Sequence, residues 1–501
     1  MKRLSRYPVV LSTLLGALSP AAFAPLDWYL LLPLCLAALF WLSHDLSPRR
    51  AMACGFMFGT GQFAVGVSWV YVSLSTFGGM PMALAVVCVI GFVALLSLFP
   101  MLATGLPALI RGASPAQRLV LLLPAFWVSL EILRNHVLTG FSWLESGYSQ
   151  TGHLLEAFAP VAGIHAVSLA LSLCSGLLAS LLVCGRRGHL GMIAGFTAIV
   201  LFALALTRVE WTEAFGEPVS TAMVQAVVPI ERKWNPAEGE KITREYLELS
   251  SQHQDVDLII WPESALTLFV DQLGAEFYDR LIRLETPLLA GFLERRPVAR
   301  GFDYFNSAVL FDEPSAIYRK RHLVPFGEYT PLAFLFDPLA RYFNIPMSIL
   351  SAWPELQAPM DIAGYKVGIS ICYEDAFPQD IRATAGQAHF LVNLSEDAWF
   401  GKSLGPAQRM QMARMRSLET GRPMFRSSNT AYSAVIDHRG VVTALSRPFD
   451  IQVLRGTLQP RSGLTPYVRH GDVPVWGLII LMMLAGFWPG FGQRRNPAHS
   501  Y

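Results

Sequence analysis

Apolar residues are distributed unevenly along the chain. Residues 8–208 form long apolar runs with few charges, residues 209–472 alternate short apolar runs with polar stretches, and Val473–Pro489 is apolar again. A helix needs about 20 apolar residues to cross the hydrocarbon layer, with roughly 17–25 as the workable range. Seven runs before the polar region approach or meet this length: about 8–24, 28–43, 51–74, 82–110, 118–134, 160–184 and 189–207. The second is short, and the fourth is long enough to tilt or to break at Pro100 or Pro107, which membrane helices tolerate. With the C-terminal run, the pattern predicts an α-helical membrane bundle of about eight transmembrane helices. The expected divisions are a bundle over 1–208, a folded domain over 209–472, and a last helix with its tail over 473–501.

Basic residues sort these runs by side. Lys2, Arg3 and Arg6 precede the first, Arg49 and Arg50 follow the second, and Arg111 and Arg118 separate the fourth and fifth. Arg186 and Arg187 precede the seventh, and Arg494 and Arg495 follow the last. The alternate loops carry little positive charge: Asp27, the uncharged Ser75–Pro81, and 135–159 with Glu145 and Glu156. The positive-inside rule then predicts two cytoplasmic termini and a folded domain outside the cytoplasm. Lys2–Arg6 with the following apolar run and Ala22-Phe23-Ala24 imitates a secretory signal and its cleavage site. Because further spans follow almost at once, an uncleaved first helix is expected.

Between 219 and 445 the pattern changes to short strands and helices. Thr221–Val228, Asp257–Trp261, Pro287–Leu293, Asn306–Phe311, Lys366–Cys372, His389–Leu394 and Ser433–Asp437 read as strands. Continuous apolar runs such as Leu258-Ile259-Ile260 suit strands covered on both faces. Glu240–Ser251, Glu276–Leu284 and Gln408–Leu418 read as helices between them, so an α/β sandwich is predicted.

Composition agrees with the membrane reading. Of 501 residues, 53% are hydrophobic and 15% charged, against about 25% charged in soluble globular chains. A net charge of +2 gives no sign of a nucleic-acid partner, and no Cys or His spacing suggests a metal. Of six cysteines, Cys35, Cys54, Cys88, Cys174 and Cys184 lie within or at the end of apolar runs and read as small buried hydrophobes. Cys372 is the only one in the folded domain, where no disulfide partner is at hand.

Two strands end alike. Leu258-Ile259-Ile260-Trp261-Pro262-Glu263-Ser264 carries a carboxylate just past its apolar run, and Ile369-Ser370-Ile371-Cys372-Tyr373-Glu374-Asp375 carries a thiol there. Catalytic groups in α/β folds gather beyond the carboxyl ends of strands, so Glu263 and Cys372 can converge. A thiol at a strand-to-helix turn resembles a nucleophile elbow, with a buried structural thiol as the alternative. The histidines His253, His322, His389, His438 and His470 are scattered, and none stands out as a base. Glu263 is the better candidate, since burial beside Trp261 and Pro262 favours its protonated form. A cation for a developing oxyanion is available in Arg319-Lys320-Arg321-His322, unless that run is a solvated face.

Trp261-Pro262-Glu263-Ser264, Lys320 with Pro325-Phe326-Gly327-Glu328, and Cys372-Tyr373-Glu374-Asp375 together resemble the Glu-Lys-Cys motifs of the nitrilase superfamily. The chain is still more similar to the bacterial apolipoprotein N-acyltransferases, which place such a domain after seven spans and before a final one. The resemblance runs nearly end to end. It includes Trp69–Ser73, Thr76–Pro81, Trp143–Gln150, Asp397–Gly401 and Gln411–Arg416.

The resemblance implies an α-β-β-α sandwich, with Cys372 as nucleophile, Glu263 as base and Lys320 as oxyanion partner. It also implies Trp234, Glu328, Tyr373 and Glu374 as supporting residues. The reaction implied is transfer of a phospholipid sn-1 acyl chain, through an acyl-cysteine, to the α-amine of a diacylglyceryl-cysteine lipoprotein. No cofactor or metal is implied, and the expected location is the bacterial inner membrane with a periplasmic catalytic domain. Pro331–Leu350, rich in aromatic residues, reads as an interfacial arm or as a helix packed on the sheet. Two positions depart from the family: Thr430-Ala431 replaces an Asn-Gly pair, and Arg409 stands where histidine is usual. Both are expected to alter loop shape and leave the chemistry alone. The sidedness is checked by fusions: a reporter after Arg208 should lie outside the cytoplasm and one after Arg495 inside, and finding both on one side would remove this arrangement.

Overall fold

The computed structural model describes residues 7–488 except 283, 300, 313–314 and 332–348. Most of Pro331–Leu350 and the terminal basic residues Lys2, Arg3, Arg6, Arg494 and Arg495 therefore lie outside the described residues.

Among the described residues, four apolar helices are long enough to cross a membrane: Met82–Leu109, Pro115–Arg134, Leu154–Leu181 and Gly188–Leu206. A fifth span results if Pro48–Gly66 and Trp69–Phe77, bent by 51°, are counted as one. Pro8–Ala22, Leu31–Ser43 and Val473–Phe487 are apolar but shorter, so the count of eight spans is not confirmed. Hydropathy counts apolar residues whatever their conformation, and non-helical residues such as Phe23–Ala24 and Trp28–Leu30 had lengthened the first two runs. The long helix Met82–Leu109 holds both Pro100 and Pro107 without breaking.

Lipid tails are as apolar as leucine, so membrane helices associate by close packing and small residues at the contacts. Helix Pro48–Gly66 shows this on two faces. A Cβ on Gly55 would lie 2.2 Å from the Pro100 carbonyl oxygen, and one on Gly61 2.3 Å from that of Thr13. Beside the first contact, the Thr104 hydroxyl donates across to the Ala51 carbonyl at 2.8 Å.

The folded domain contains two six-stranded sheets. The first runs Gln452–Leu458, Val219–Gln225, Leu258–Ile260, Leu288–Pro297, Phe302–Phe311, Ala316–Arg319; the second runs Val442–Leu445, Ala434–Ile436, Met424–Ser428, Phe390–Ser395, Tyr365–Ile371, Met360–Ile362. Central neighbours pair in parallel and the flanking strands antiparallel. The sheets face each other through Met223, Leu258, Ile260, Leu310, Ile369, Ile371, Phe390 and their neighbours.

Helices Gly239–Ser251 and Ala275–Ile282 cover the outer face of the first sheet, with Ile242, Tyr246 and Leu281 against Ala222, Ile259 and Leu288. Helices Pro378–Ala385 and Gly405–Thr420 cover the second, with Ile381, Met410 and Ala413 against Leu391, Met424 and Ile436. The result is the expected α-β-β-α sandwich. All seven expected strands are present within a few residues, while Ala316–Arg319, Met360–Ile362, Met424–Ser428, Val442–Leu445 and Gln452–Leu458 were not foreseen.

Helix Gly405–Thr420 also touches the bundle. Gln408 donates to the Gly66 carbonyl at 3.1 Å, and Gln411 to Asp27 at 3.2 Å. Arg416 donates to the Tyr148 hydroxyl at 3.1 Å, and Glu419 accepts the Ile164 amide at 2.6 Å. Sandwich and bundle thus share one helix. For the close helix contacts, Gly55→Val should destabilise the detergent-solubilised protein by about 1–3 kcal/mol, the usual cost of overpacking. Gly91→Ala, where an added Cβ meets nothing within 4 Å, should leave the melting temperature unchanged.

Candidate active site

Cys372 directly follows the buried strand Tyr365–Ile371 and opens a tight turn over Cys372–Ala376. Its φ is +48°, a conformation that L residues with side chains adopt only at a cost. The side chain is buried between the sheets, and burial pushes the thiol up to about 12, with Glu263 adding to the rise while Arg409 and Lys320 oppose it. The resting group is therefore a thiol that must lose its proton as it attacks.

Glu263 lies just past strand Leu258–Ile260, in a loop pressed against Leu288–Pro297. A Cβ on Gly291 would lie 2.7 Å from Glu263 Cα and 2.5 Å from the Ser264 nitrogen, so only glycine permits this approach. The Glu263 carboxylate accepts from Asn306 Nδ2 at 2.7 Å, Lys320 Nζ at 3.3 Å and the Glu396 amide at 2.8 Å.

Lys320 follows strand Ala316–Arg319 and is 1% exposed, so its charge depends on protein partners. Nζ donates to Glu328 at 2.9 Å as well as to Glu263, and Asn306 bridges the two acids with a 3.0 Å bond to Glu328. Burial works against the ammonium, but Glu263 and Glu328 outweigh it and hold Lys320 above its ordinary value. Glu328 is fixed in turn by the Val324 amide at 2.8 Å.

Glu374 joins the two strand ends. Its carboxylate accepts from the Ile371 amide at 2.7 Å, the Arg321 amide at 2.8 Å, the His322 amide at 3.3 Å and the Tyr318 hydroxyl at 3.0 Å. One side chain thus fixes the residue before the nucleophile and the residues after the lysine. Burial raises its pKa, and the backbone amides pull the other way. Tyr373 turns towards the bundle: its hydroxyl donates to the Gly140 carbonyl at 3.1 Å, and its ring stacks on Trp143. Trp234, at the end of the short helix Ile230–Lys233, packs with Leu293, Leu323, Phe269, Tyr329 and Trp399 in a small apolar cluster.

The structure adds residues that the sequence reading passed over and corrects one. Arg409 lies in helix Gly405–Thr420, not in a loop, and its Nη1 is 3.1 Å from Cys372 Sγ. The expected loop position does not hold: a helix turn carries the side chain to the thiol. Asn306 is the second addition: a polar amide among the buried positions of strand Phe302–Phe311 was the signal for it. Glu396 pairs with Lys233 and with Asn429 while its amide holds Glu263. Thr430 and Ala431 lie in a buried turn, where the Thr430 carbonyl accepts the Phe449 amide and the Ala431 amide donates to Ser428. Among the described residues, no group of three or more His, Cys, Asp and Glu is arranged to hold a metal ion.

A sandwich with these groups at its strand ends is that of the carbon–nitrogen hydrolase class, and the carbon–nitrogen hydrolase family model matches residues 220–467. The model of the apolipoprotein N-acyltransferase N-terminal domain matches residues 15–177. The chain belongs to the apolipoprotein N-acyltransferase family and is a membrane protein. The apolipoprotein N-acyltransferase of Methylococcus capsulatus is 39% identical over 97% of this chain and 96% of its own. That of Nitrosomonas europaea is 39% identical over 96% and 97%, and that of Chromobacterium violaceum 37% over 96% and 94%.

The clamp formed by Glu374 is open to test. Charge-assisted hydrogen bonds contribute about 1.5–3 kcal/mol each, so losing one such contribution at the transition state slows the reaction roughly ten- to a hundredfold. Glu374→Gln should show such a loss in acyl transfer while the protein stays folded. A wild-type rate would show that the clamp does not position the site.

Proposed function

We propose that this protein transfers the sn-1 acyl chain of a phospholipid to the N-terminal α-amine of a diacylglyceryl-cysteine lipoprotein, through a thioester on Cys372. The observation that carries this reading is the buried cysteine at a strained strand end, electrostatically coupled to Glu263 and Lys320, in a domain fused to an apolar bundle. Both substrates are lipids, and a catalytic site held against the bundle meets them where they reside.

Glu263 accepts the Cys372 thiol proton as sulfur attacks the ester carbonyl, and the S–C bond forms while the carbonyl π pair moves onto oxygen. Lys320 stabilises that oxyanion. Collapse expels the glycerol alkoxide, which takes the proton back from Glu263 and leaves as lysophospholipid. The lipoprotein amine then attacks the thioester, gives its proton to Glu263, and expels the Cys372 thiolate, which regains the proton. Glu328 shares the Lys320 charge, Glu374 and Tyr373 hold the nucleophile turn, and Trp234 lines the neighbouring apolar cluster. The aromatic surroundings of the turn, with Trp143, Phe377 and Phe400, limit the approach of water. The chain divides into a bundle over 1–208, the catalytic domain over 209–472 and a final helix with its tail. It sits in the inner membrane with the catalytic domain periplasmic and both termini cytoplasmic.

Purified protein mixed with phospholipid alone should accumulate a thioester on Cys372 that neutral hydroxylamine releases, with about one equivalent of lysophospholipid per enzyme. A diacylglyceryl-cysteine peptide with a free amine should discharge it, and an N-acetylated peptide should not. Continuous release of fatty acid without acylated Cys372 would show a hydrolase instead. Cys372→Ser should abolish transfer, and Glu263→Gln and Lys320→Met should each remove most of it in folded protein. Cys35→Ala, Cys54→Ala and Cys174→Ala should retain wild-type rates.

A further inference from the structure

The cation assigned to the oxyanion is already matched. Lys320 lies against two carboxylates, Glu263 and Glu328, so with both ionised that group carries a net negative charge. Until the proton moves, it offers the thiol no surplus positive charge. On the other side of Cys372 stands Arg409, 1% exposed. Its Nη1 donates to Cys372 Sγ at 3.1 Å and to Asp397 at 3.3 Å, and its Nη2 to the Cys372 carbonyl at 2.7 Å and to Asp375 at 2.7 Å. A longer contact reaches the Ser395 hydroxyl at 3.3 Å.

One planar fork therefore holds both the sulfur and the carbonyl of the residue at φ +48°. Asp397 is shared with Arg426 at 2.7 Å, and Asp375 lies 3.9 Å from the same guanidinium, so two acids meet two arginines and the cluster is neutral. The charged groups acting on the thiol are Glu263 and Lys320 from the first sheet, Arg409 from its helix and Asp397 from the turn Asp397–Phe400, with Asp375 behind Arg409.

We propose that Arg409 is a catalytic residue that stabilises the Cys372 thiolate by direct donation to sulfur and holds the nucleophile turn by the second arm of its guanidinium. This rests on the reading of Cys372 as the nucleophile. As the thiol proton passes to Glu263, the electron pair left on sulfur faces the Arg409 N–H. Lys320, released from Glu263 as that acid takes up the proton, then acts on the substrate oxygen. The two cations divide the two negative charges of the reaction between them.

The test is the pH dependence of Cys372 alkylation by iodoacetamide, read by peptide mass spectrometry on the full-length protein in detergent, with thermal unfolding followed in parallel. Arg409→Gln should displace the rising limb of the profile by about one pH unit or more to higher pH, so that alkylation near neutral pH slows about tenfold. Arg409→Lys, which keeps the charge, should recover most of the difference. Arg409→Gln combined with Asp375→Asn removes one charge of each sign, keeps the cluster neutral, and should show the same upward shift, deciding the matter where the single variant does not fold. A folded single or double variant with the wild-type rising limb would overturn the proposal, since a purely structural role does not move the profile. If wild-type Cys372 never forms a thioester with phospholipid, the underlying reading fails instead, whatever the alkylation profiles show.

Discussion

Helix Gly405–Thr420 has protein on nearly every side, yet Arg409, Arg416 and Glu419 are among its buried residues. Burying a charge costs several kcal/mol unless partners replace the lost water, and removing one partner of such a pair costs about 3–5 kcal/mol. The rest of the structure is arranged around that demand. Arg416 and Glu419 pair with each other at 3.0 Å and reach Tyr148 and Ile164 in the bundle. Arg409, two turns earlier on the same face, reaches Asp375, Asp397 and the thiol. The same helix therefore fixes the domain on the membrane and brings a cation to sulfur.

The second junction lies at the nucleophile turn itself. Tyr373 bonds to Gly140, and His322, two residues past Lys320, bonds to the Thr139 carbonyl at 2.9 Å and stacks on Phe377. Ser73 donates to the Trp399 carbonyl at 2.8 Å, beside Asp397. The strand ends that carry the lysine and the cysteine, and the turn that carries Asp397, are thus each tied to the bundle. The geometry of the site depends on the membrane portion as much as on the sheets.

Much of this was legible in the sequence for definite reasons. Glu263 and Cys372 follow apolar strands, and that alternation of buried run and polar end survives in one dimension. Lys320 among three neighbouring cations did not stand out by pattern, and only the family resemblance separated it from Arg319 and Arg321. The reason is geometric: Arg319 points away to Glu294 at 2.5 Å, while Lys320 points inward, an alternation that becomes visible only once the strand is paired. Arg409 was read as a loop variant because nothing local links it to Cys372, 37 residues away. The first two helices are shorter than their apolar runs for a different reason, since turns in a membrane protein are as apolar as its helices.

The seam between Arg416 and Tyr148 joins residues 268 positions apart. A ribosome adding roughly 5–20 residues per second needs on the order of 13–54 seconds to cover that interval. Throughout that time the bundle loops that receive the domain are made and the helix that covers them is not. Val473–Phe487 follows later still, with Asp472 at its start bonded to His165 at 2.8 Å. The thiol therefore reaches its final surroundings only after almost the whole chain has been synthesised, and a nascent chain halted partway through the second sheet carries no assembled centre.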